Sequence, residues 1–144
     1  MSALTFILVV LVAFIAGVAS VVDERQFHRP LVACTLMGFA LGDPTTGIML
    51  GGALELIALG WMNVGAAMAP DSALASTISA IVVIQGHQDI TTGIAIAVPL
   101  AAAGQVLTIF VRTITVFFQH QADNFAKTAN FRGIELMHLS GMAL

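Results

Sequence analysis

The sequence has few charged residues, no tyrosine, one tryptophan and one cysteine. With 9% charged and 58% hydrophobic residues, it lies far from the composition of soluble globular domains. Five Lys and Arg residues are too few for the clustered basic face that binds nucleic acid, so no nucleic-acid partner is predicted. The lone Cys34 excludes an internal disulfide and a cysteine metal cluster. The composition therefore predicts a protein whose solvent is the lipid bilayer.

Two long uncharged runs predict helices that span a membrane. The first, Met1 to Val22, has 22 residues without a charged side chain, and a helix of that length crosses a hydrocarbon core of about 30 Å. The second, Ile90 to Val111, contains Pro99, which neighbouring helices can accommodate in a membrane. A cleaved signal peptide is the alternative for the first run, but that run lacks a basic start and further apolar segments follow it.

Two shorter apolar runs, Leu31 to Gly42 and Ser72 to Gly86, cannot cross a bilayer as straight helices. They predict broken or re-entrant half-helices, which membrane proteins tolerate where other protein surrounds them. Gly38 and Gly42 are expected to give the first run one close-packing face of small residues. We therefore predict an all-α integral membrane fold, with multi-pass helices and broken or re-entrant half-helices, as one membrane domain over residues 1–144.

The last part of the chain predicts a loop and the start of another segment. Gln119 to Arg132 is polar, and its basic residues favour a cytoplasmic loop by the positive-inside rule. Leu136 to Leu144 is apolar but too short to span a bilayer. The chain is therefore expected to be the N-terminal portion of a longer fold.

A hexapeptide pattern occurs twice, as DPTTGI from Asp43 and as DITTGI from Asp89, with five of six positions in common. In the first copy, Asp43 suits the N-cap of a helix and Pro44 suits its first helical position. The match indicates either an internal structural repeat, which many transporter folds contain, or two helices that begin with the same capping chemistry. The sequence leaves both interpretations open.

A charged segment, DERQFHRP over residues 23–30, separates the first two apolar runs. Its proline discourages helix in the residue before it, so a loop or interfacial turn is predicted. One interpretation is a solvated connection whose opposite charges compensate one another. The other is a polar hinge in the protein interior, in which Asp23, Arg25, His28 and Arg29 form pairs.

The most informative stretch runs from Gly47 to Ala75, because it carries two carboxylates, Glu55 and Asp71, in apolar surroundings. An ionisable residue inside a membrane segment is costly and marks a candidate functional site. The step from Ala69 to Ser72 contains a proline that breaks a helix, and Asp71 can cap the next one. A discontinuous membrane helix with polar groups at its break is a common form of transporter binding site.

The residue types around this break suit a neutral polyhydroxylated ligand. Carboxylates and amides accept hydrogen bonds from hydroxyl groups, and an aromatic ring can lie against the C–H face of a pyranose. A helix cap is the alternative role for Asp71, a membrane-interface position for Trp61 and a solvated turn for His87. Glu55 has the weakest structural alternative, because no cationic neighbour in the sequence accounts for it. The predicted substrate-binding residues are Glu55, Trp61, Asn63, Asp71, His87 and Gln105.

Motifs for chemistry are missing from the sequence. It contains no Gly-rich phosphate loop, no H-E-x-x-H metal spacing and no nucleophile elbow. No catalytic residue, metal or cofactor is therefore predicted, and the residues favour a transport component over a complete enzyme.

Three blocks of this sequence resemble a known family: LELIALGWMNVGAAMAPDSALAS (Leu54 to Ser76), with DERQFHRPL before it and PLAAAGQVLTIFVRTITVFFQHQAD after it. They closely resemble the membrane-embedded IIC component, the permease, of the mannose/sorbose-type sugar phosphotransferase system, and its mannose branch most of all. The resemblance extends from near the start to about Asp123. Members of the family continue well beyond the length of this chain.

The resemblance implies a multi-pass permease of the cell inner membrane that binds a mannose-like hexose. It implies a hetero-oligomer in the bilayer with a second membrane component, IID, served by phosphorylated cytoplasmic IIA and IIB components. In such systems, phosphate passes from phosphoenolpyruvate through soluble carriers to a histidine on IIB and then to the sugar. The IIC component is expected to present a sugar hydroxyl for in-line transfer, with no phosphorylated residue of its own.

Two other hypotheses come from the residues themselves. In the first, the chain is part of a proton-coupled secondary transporter in which Glu55 and Asp71 relay protons. In the second, it is an assembly module that folds against a partner protein and binds no sugar. Dependence of uptake on the proton gradient distinguishes the first, and sugar titration with and without the partner distinguishes the second.

Overall fold

The computed structural model describes residues 2–22, 26–62 and 68–143, and these residues form six α-helices without a β-strand. The helices are α1 (Ala3–Val22), α2 (Pro30–Leu41), α3 (Pro44–Ala58), α4 (Ser72–Gln85), α5 (Ile90–Lys127) and α6 (Phe131–Ala143). They belong to two compact units, Met1–Gln105 and Val106–Leu144. The predicted all-α fold is confirmed.

Two helices, α1 and α5, are long and apolar enough to cross a membrane, as the two uncharged runs predicted. The three helices between them have 12, 15 and 14 residues. At 1.5 Å per residue they are roughly 18 to 22 Å long, which is less than the hydrocarbon thickness of about 30 Å. The prediction of half-helices is thus confirmed for α2 and α4, and α3 is a third short helix.

Helices α2 and α3 form an antiparallel pair in close contact. A Cβ atom added at Gly47 of α3 would lie 2.5 Å from the carbonyl oxygen of Cys34 in α2, and one at Gly51 would lie 2.9 Å from that of Pro30. Such contacts leave no room for a side chain, so these glycines set the distance between the two helices. Gly38 also packs in this contact. The packing role predicted for Gly42 is wrong: it ends α2 with a φ of 87°, a left-handed conformation that glycine adopts without strain.

Helix α4 runs parallel to α2, and α5 returns antiparallel to α4. The Ser72 hydroxyl donates to the carbonyl of His28 at 3.2 Å, and one turn later the Cys34 thiol donates to the carbonyl of Ser76 at 3.4 Å. The beginning of α5 then packs Gly93 against Val83 of α4. The first unit therefore has two distinct ends, one where α2 and α4 begin and one where they finish.

A buried apolar cluster fills the first unit between these ends. Met37 of α2, Leu50 of α3 and Ala97 of α5 are fully buried in it. Val9 and Val12 of α1 are also buried and belong to the same cluster. Because lipid tails are as apolar as this cluster, close packing rather than the hydrophobic effect holds membrane helices together. The cluster thereby fixes the positions of the helix ends on either side of it.

At the end where α2 and α4 finish, the repeated hexapeptides form two helix caps, which we call the cap end (Asp43–Thr46 and Gly86–Thr92). The Thr46 hydroxyl donates to Asp43 at 2.6 Å and its amide donates at 3.1 Å. Thr92 makes the same two bonds to Asp89, at 2.5 and 2.8 Å. The threonine hydroxyls, followed by the amides, lower the pKa of both carboxyl groups. The predicted capping chemistry is confirmed at both copies.

The second unit contains the rest of α5 and α6. Helix α5 continues past Arg112 to Lys127, so the predicted polar loop from Gln119 to Arg132 is wrong. The sequence has no glycine or proline between Arg112 and Gly133, and polar side chains alone do not end a helix. The turn is confined to residues 128–130, where Ala129 has a φ of 52°. Gly133 of α6 packs against the ring of Phe125.

Candidate functional site

The carboxylate of Glu55 lies in the last turn of α3 and is bound on both oxygens. The guanidinium of Arg29 forms an ion pair with Oε1, and the backbone amide of Leu31 donates to Oε2 at 3.2 Å. The side chains of Glu55 and Arg29 are 20% and 31% exposed, so the pair is shielded but still accessible. Glu55, which has no cationic neighbour in the sequence, thus has a cationic partner from another element of the fold.

Asp71 caps α4 at the same end of the unit. Its Oδ1 accepts a hydrogen bond from the amide of Leu74 at 3.0 Å, which is the predicted capping role. Its own backbone amide donates to the carbonyl of Ala101 in α5 at 3.0 Å. A Cβ atom at Gly104 would lie 2.6 Å from the Cβ of Asp71. Helix α5 thus has a small residue where the α4 cap rests on it.

Gln105 fastens the segment that leads into α4. Its side-chain amide donates to the carbonyl of Met68 at 2.6 Å, across from the Asp71 cap. The predicted site residue Gln105 therefore contacts the chain that crosses the break between α3 and α4. We call the group formed by Arg29, Glu55, Asp71, Ser72 and Gln105 the junction.

The remaining predicted site residues differ in their placement. Trp61 follows α3, and its half-buried ring packs against the apolar cluster. Asn63 lies outside the described residues. His87 is exposed in the turn between α4 and α5, with a φ of 49°. Since α4 separates it from Asp71 by 14 residues, or about 20 Å of helix, the fold does not bring His87 to the junction.

Two residues of this end were not among the predicted site residues, namely Arg29 and Ser72. Ser72 connects α4 to α2 through the carbonyl of His28. The charged segment before Pro30 had suggested a polar hinge in the interior, and Arg29 does pair inside the fold, although with Glu55. Asp23 and Arg25 lie outside the described residues. Pairing partners on distant elements cannot be read from sequence spacing.

Two long apolar helices, three shorter apolar ones and an ion pair where α3 ends are features expected of an integral membrane protein. Residues 3–144 match the family model described as the PTS system sorbose-specific IIC component, and the chain belongs to this family. The resemblance seen in the sequence is thereby confirmed.

Curated relatives with different sugar names are similar to the chain to nearly the same degree. It is 66% identical over 142 residues to the fructose permease IIC component of Bacillus subtilis, covering 99% of this chain and 53% of the relative. It is 64% identical to the sorbose-specific EIIC component of Klebsiella pneumoniae (99% and 54%) and to the mannose-specific EIIC component of Escherichia coli K12 (98% and 53%). The chain spans about half the length of these relatives.

The fold also matches a solved transporter. The cryo-EM structure of the mannose transporter ManYZ in complex with microcin E492 contains a chain that is 63% identical, with a TM-score of 0.92. The match covers 99% of this chain and 57% of that one. The helices described above thus have the same arrangement as part of one chain of a known membrane transporter.

Proposed function

We propose that this chain is the sugar-binding and translocating part of the membrane-embedded IIC component of a phosphoenolpyruvate-dependent phosphotransferase system. Its substrates are mannose-type hexoses, which it presents for phosphorylation by a partner protein. The observation that carries the proposal is the junction, where a partly exposed carboxylate lies at the break between α3 and α4 in a chain of the IIC family. The sugar names of its relatives support a hexose as the substrate class.

In this proposal the residues bind the sugar and leave the phosphoryl chemistry to the partner proteins. The Glu55 carboxylate accepts hydrogen bonds from sugar hydroxyls, and the ring of Trp61 offers an apolar face to the pyranose. Asp71, Gln105 and Asn63 supply further polar groups. The contribution to catalysis is the positioning of one hydroxyl for in-line attack on the phosphoryl group. The proton-relay hypothesis gains no support, because Glu55 is paired with Arg29 and Asp71 caps α4.

The proposal includes the assembly and its location. We infer a multi-pass protein of the cell inner membrane that pairs with a IID membrane component and receives phosphate from cytoplasmic IIA and IIB components. The similarity to a chain of the ManYZ transporter supports this assembly. The large apolar side chains exposed on α1 and α5, such as Phe14 and Phe110, are suited to contact with lipid or with membrane helices.

The test is the Glu55→Gln variant, made in the complete permease and expressed with its phosphotransfer partners. Removing the charge weakens hydrogen bonds from sugar hydroxyls, so uptake of labelled hexose at subsaturating concentration should fall at least about tenfold. The matched control is Glu135→Gln, which changes an exposed carboxylate of α6 and should leave uptake unchanged. Immunoblotting of membranes shows that both variants reach the membrane. Normal uptake by Glu55→Gln would refute the assignment of the junction as the sugar site.

A further inference from the structure

The Glu55 carboxylate is held in one orientation by two partners from the same helix start. Arg29 binds Oε1, and the amide of Leu31 binds Oε2 at 3.2 Å. Each carboxylate oxygen has two lone pairs, so among the described residues these contacts leave one acceptor direction on each oxygen. A carboxylate held at both oxygens rotates about its terminal bond only when one of these contacts breaks. It therefore offers two acceptor directions at a fixed spacing, which suits a pair of neighbouring hydroxyl groups.

The main chain of Arg29 is held by hydrogen bonds at both its amide and its carbonyl. Its amide donates to the carbonyl of Gln26 at 2.9 Å, and its carbonyl accepts the amide of Ala33 at 2.9 Å as the first bond of α2. Pro30 at the first helical position adds a fixed φ. The close approach of Gly51 to Pro30 keeps α3 against this helix start. The guanidinium is thus presented to Glu55 from a rigid element.

The charges of the pair also suit a neutral ligand. A lone carboxylate in apolar surroundings is costly, and an adjacent guanidinium compensates it. A guanidinium also holds a carboxylate in a defined geometry, which a lysine ammonium does less well because it is a point charge on a flexible stem. The compensated pair can accept hydroxyl hydrogen bonds while it adds no net charge to the site.

We propose that Arg29 is a positioning residue that orients the Glu55 carboxylate toward two hydroxyl groups of the hexose. This inference rests on the proposed function, because it assumes that Glu55 binds the sugar. Arg29 need not touch the sugar: it acts through Glu55. The affinity for the sugar then depends both on the presence of the Glu55 carboxylate and on the orientation that Arg29 gives it.

The experiment measures uptake kinetics in the complete permease with its phosphotransfer partners, using Arg29→Gln and Arg29→Lys. Arg29→Gln removes the ion pair and should raise KM roughly tenfold, as expected for one misaligned charge-assisted hydrogen bond, with little change in the maximal rate per membrane-inserted protein. Arg29→Lys keeps the charge but not the planar geometry and should recover part of the KM. Arg132→Gln, which removes an exposed cation of α6, is the control and should keep the parent KM.

A set of monodeoxy hexoses separates orientation from general damage. The parent permease should discriminate against the analogues that lack the hydroxyls bound by Glu55, and Arg29→Gln should reduce that discrimination, because its carboxylate no longer favours those hydroxyls. A residue with only a structural role would lower the amount of active protein and leave KM and the ratio between sugars unchanged. That outcome would overturn the proposal.

A double-mutant cycle distinguishes failure of this proposal from failure of the proposed function. If Arg29 acts through Glu55, Arg29→Gln should have no further effect on KM in a Glu55→Gln background. An equal effect in both backgrounds contradicts positioning while leaving the sugar site intact. A normal KM for Glu55→Gln alone contradicts the sugar site itself.

Discussion

The junction and the cap end lie at opposite ends of the same unit, and their hydrogen bonds differ in kind. At the cap end, Asp43 and Asp89 each bind a threonine three residues later. The junction also contains one such cap, at Asp71, but its other bonds join residues that are 24, 37 and 44 positions apart in the chain. Caps of the first kind start a helix wherever it lies, whereas bonds of the second kind form only when the helices are correctly assembled. The hydrogen bonds of the cap end therefore form within the first turn of one helix, whereas most of those at the junction depend on how the half-helices pack against one another.

The largest expected effect comes from disturbing the helix contact on which the junction depends. Gly47→Ala places a methyl group against the backbone of Cys34, which cannot move aside as a flexible side chain could. We expect a loss of about 1–3 kcal/mol in the free energy of unfolding, the usual cost of overpacking. Thermal unfolding of the purified permease in detergent measures it.

The control for this substitution lies in the same helix. Gly52→Ala adds the same methyl group where no other described element of the fold comes within 4 Å, and alanine favours helix over glycine by up to about 1 kcal/mol. Its stability should therefore be unchanged or higher. Equal losses in the two variants would show that the distance between α2 and α3 is not set by Gly47.

An intermediate effect is expected from two glutamine side chains that make the same bond in the two regions. Gln105 donates to the carbonyl of Met68 at 2.6 Å, and Gln88 donates to that of Gly86 at 2.8 Å. Gln105→Ala should lower stability by about 1 kcal/mol and reduce hexose uptake, because the segment entering α4 loses its anchor. Gln88→Ala should change stability by less than about 0.5 kcal/mol, since its partner is local and exposed. Similar hexose uptake by the two variants would show that the Gln105 hydrogen bond matters no more for transport than the local bond of Gln88.

The smallest effect on stability is expected from replacing capping aspartates by asparagine. The same substitutions test whether Asp71 has a role in sugar binding besides capping. Asparagine is as good an N-cap as aspartate, so Asp71→Asn and Asp89→Asn should each change the unfolding temperature only slightly. If Asp71 also binds the sugar, Asp71→Asn should raise the KM for hexose uptake several-fold, whereas Asp89→Asn should not. An unchanged KM in both variants would leave Asp71 with a capping role alone.

The predictions from sequence succeeded where the cause is local. Asp43, Asp71 and Asp89 cap helices because the chemistry of a cap involves residues only three positions apart. The short apolar runs form half-helices, as predicted, because a helix of their length is shorter than the hydrocarbon core of a bilayer. Such features need no knowledge of the rest of the fold.

Other features could not be predicted, or were predicted wrongly, because their cause lies across the fold or in the absence of a residue that breaks a helix. Glu55 has a cationic partner that no spacing rule connects to it, since Arg29 approaches only after α2 and α3 pack. Gly42 resembled a packing residue by its spacing from Gly38, yet it ends α2. The predicted end of α5 comes too early, because the polar side chains from Gln119 onward indicate a loop, although no residue before Lys127 breaks the helix.

The directions of the three half-helices give the junction an electrostatic character of its own. Helices α2 and α4 begin there and α3 ends there, so two positive ends of helix dipoles meet one negative end. Glu55 binds the amide of Leu31 in the first turn of α2, and Asp71 binds that of Leu74 in the first turn of α4. Each positive helix end thus has its own carboxylate. Because these dipoles belong to the main chain, no side-chain substitution removes them, and a junction without its two acids would keep two positive helix ends that the negative end of α3 offsets only in part.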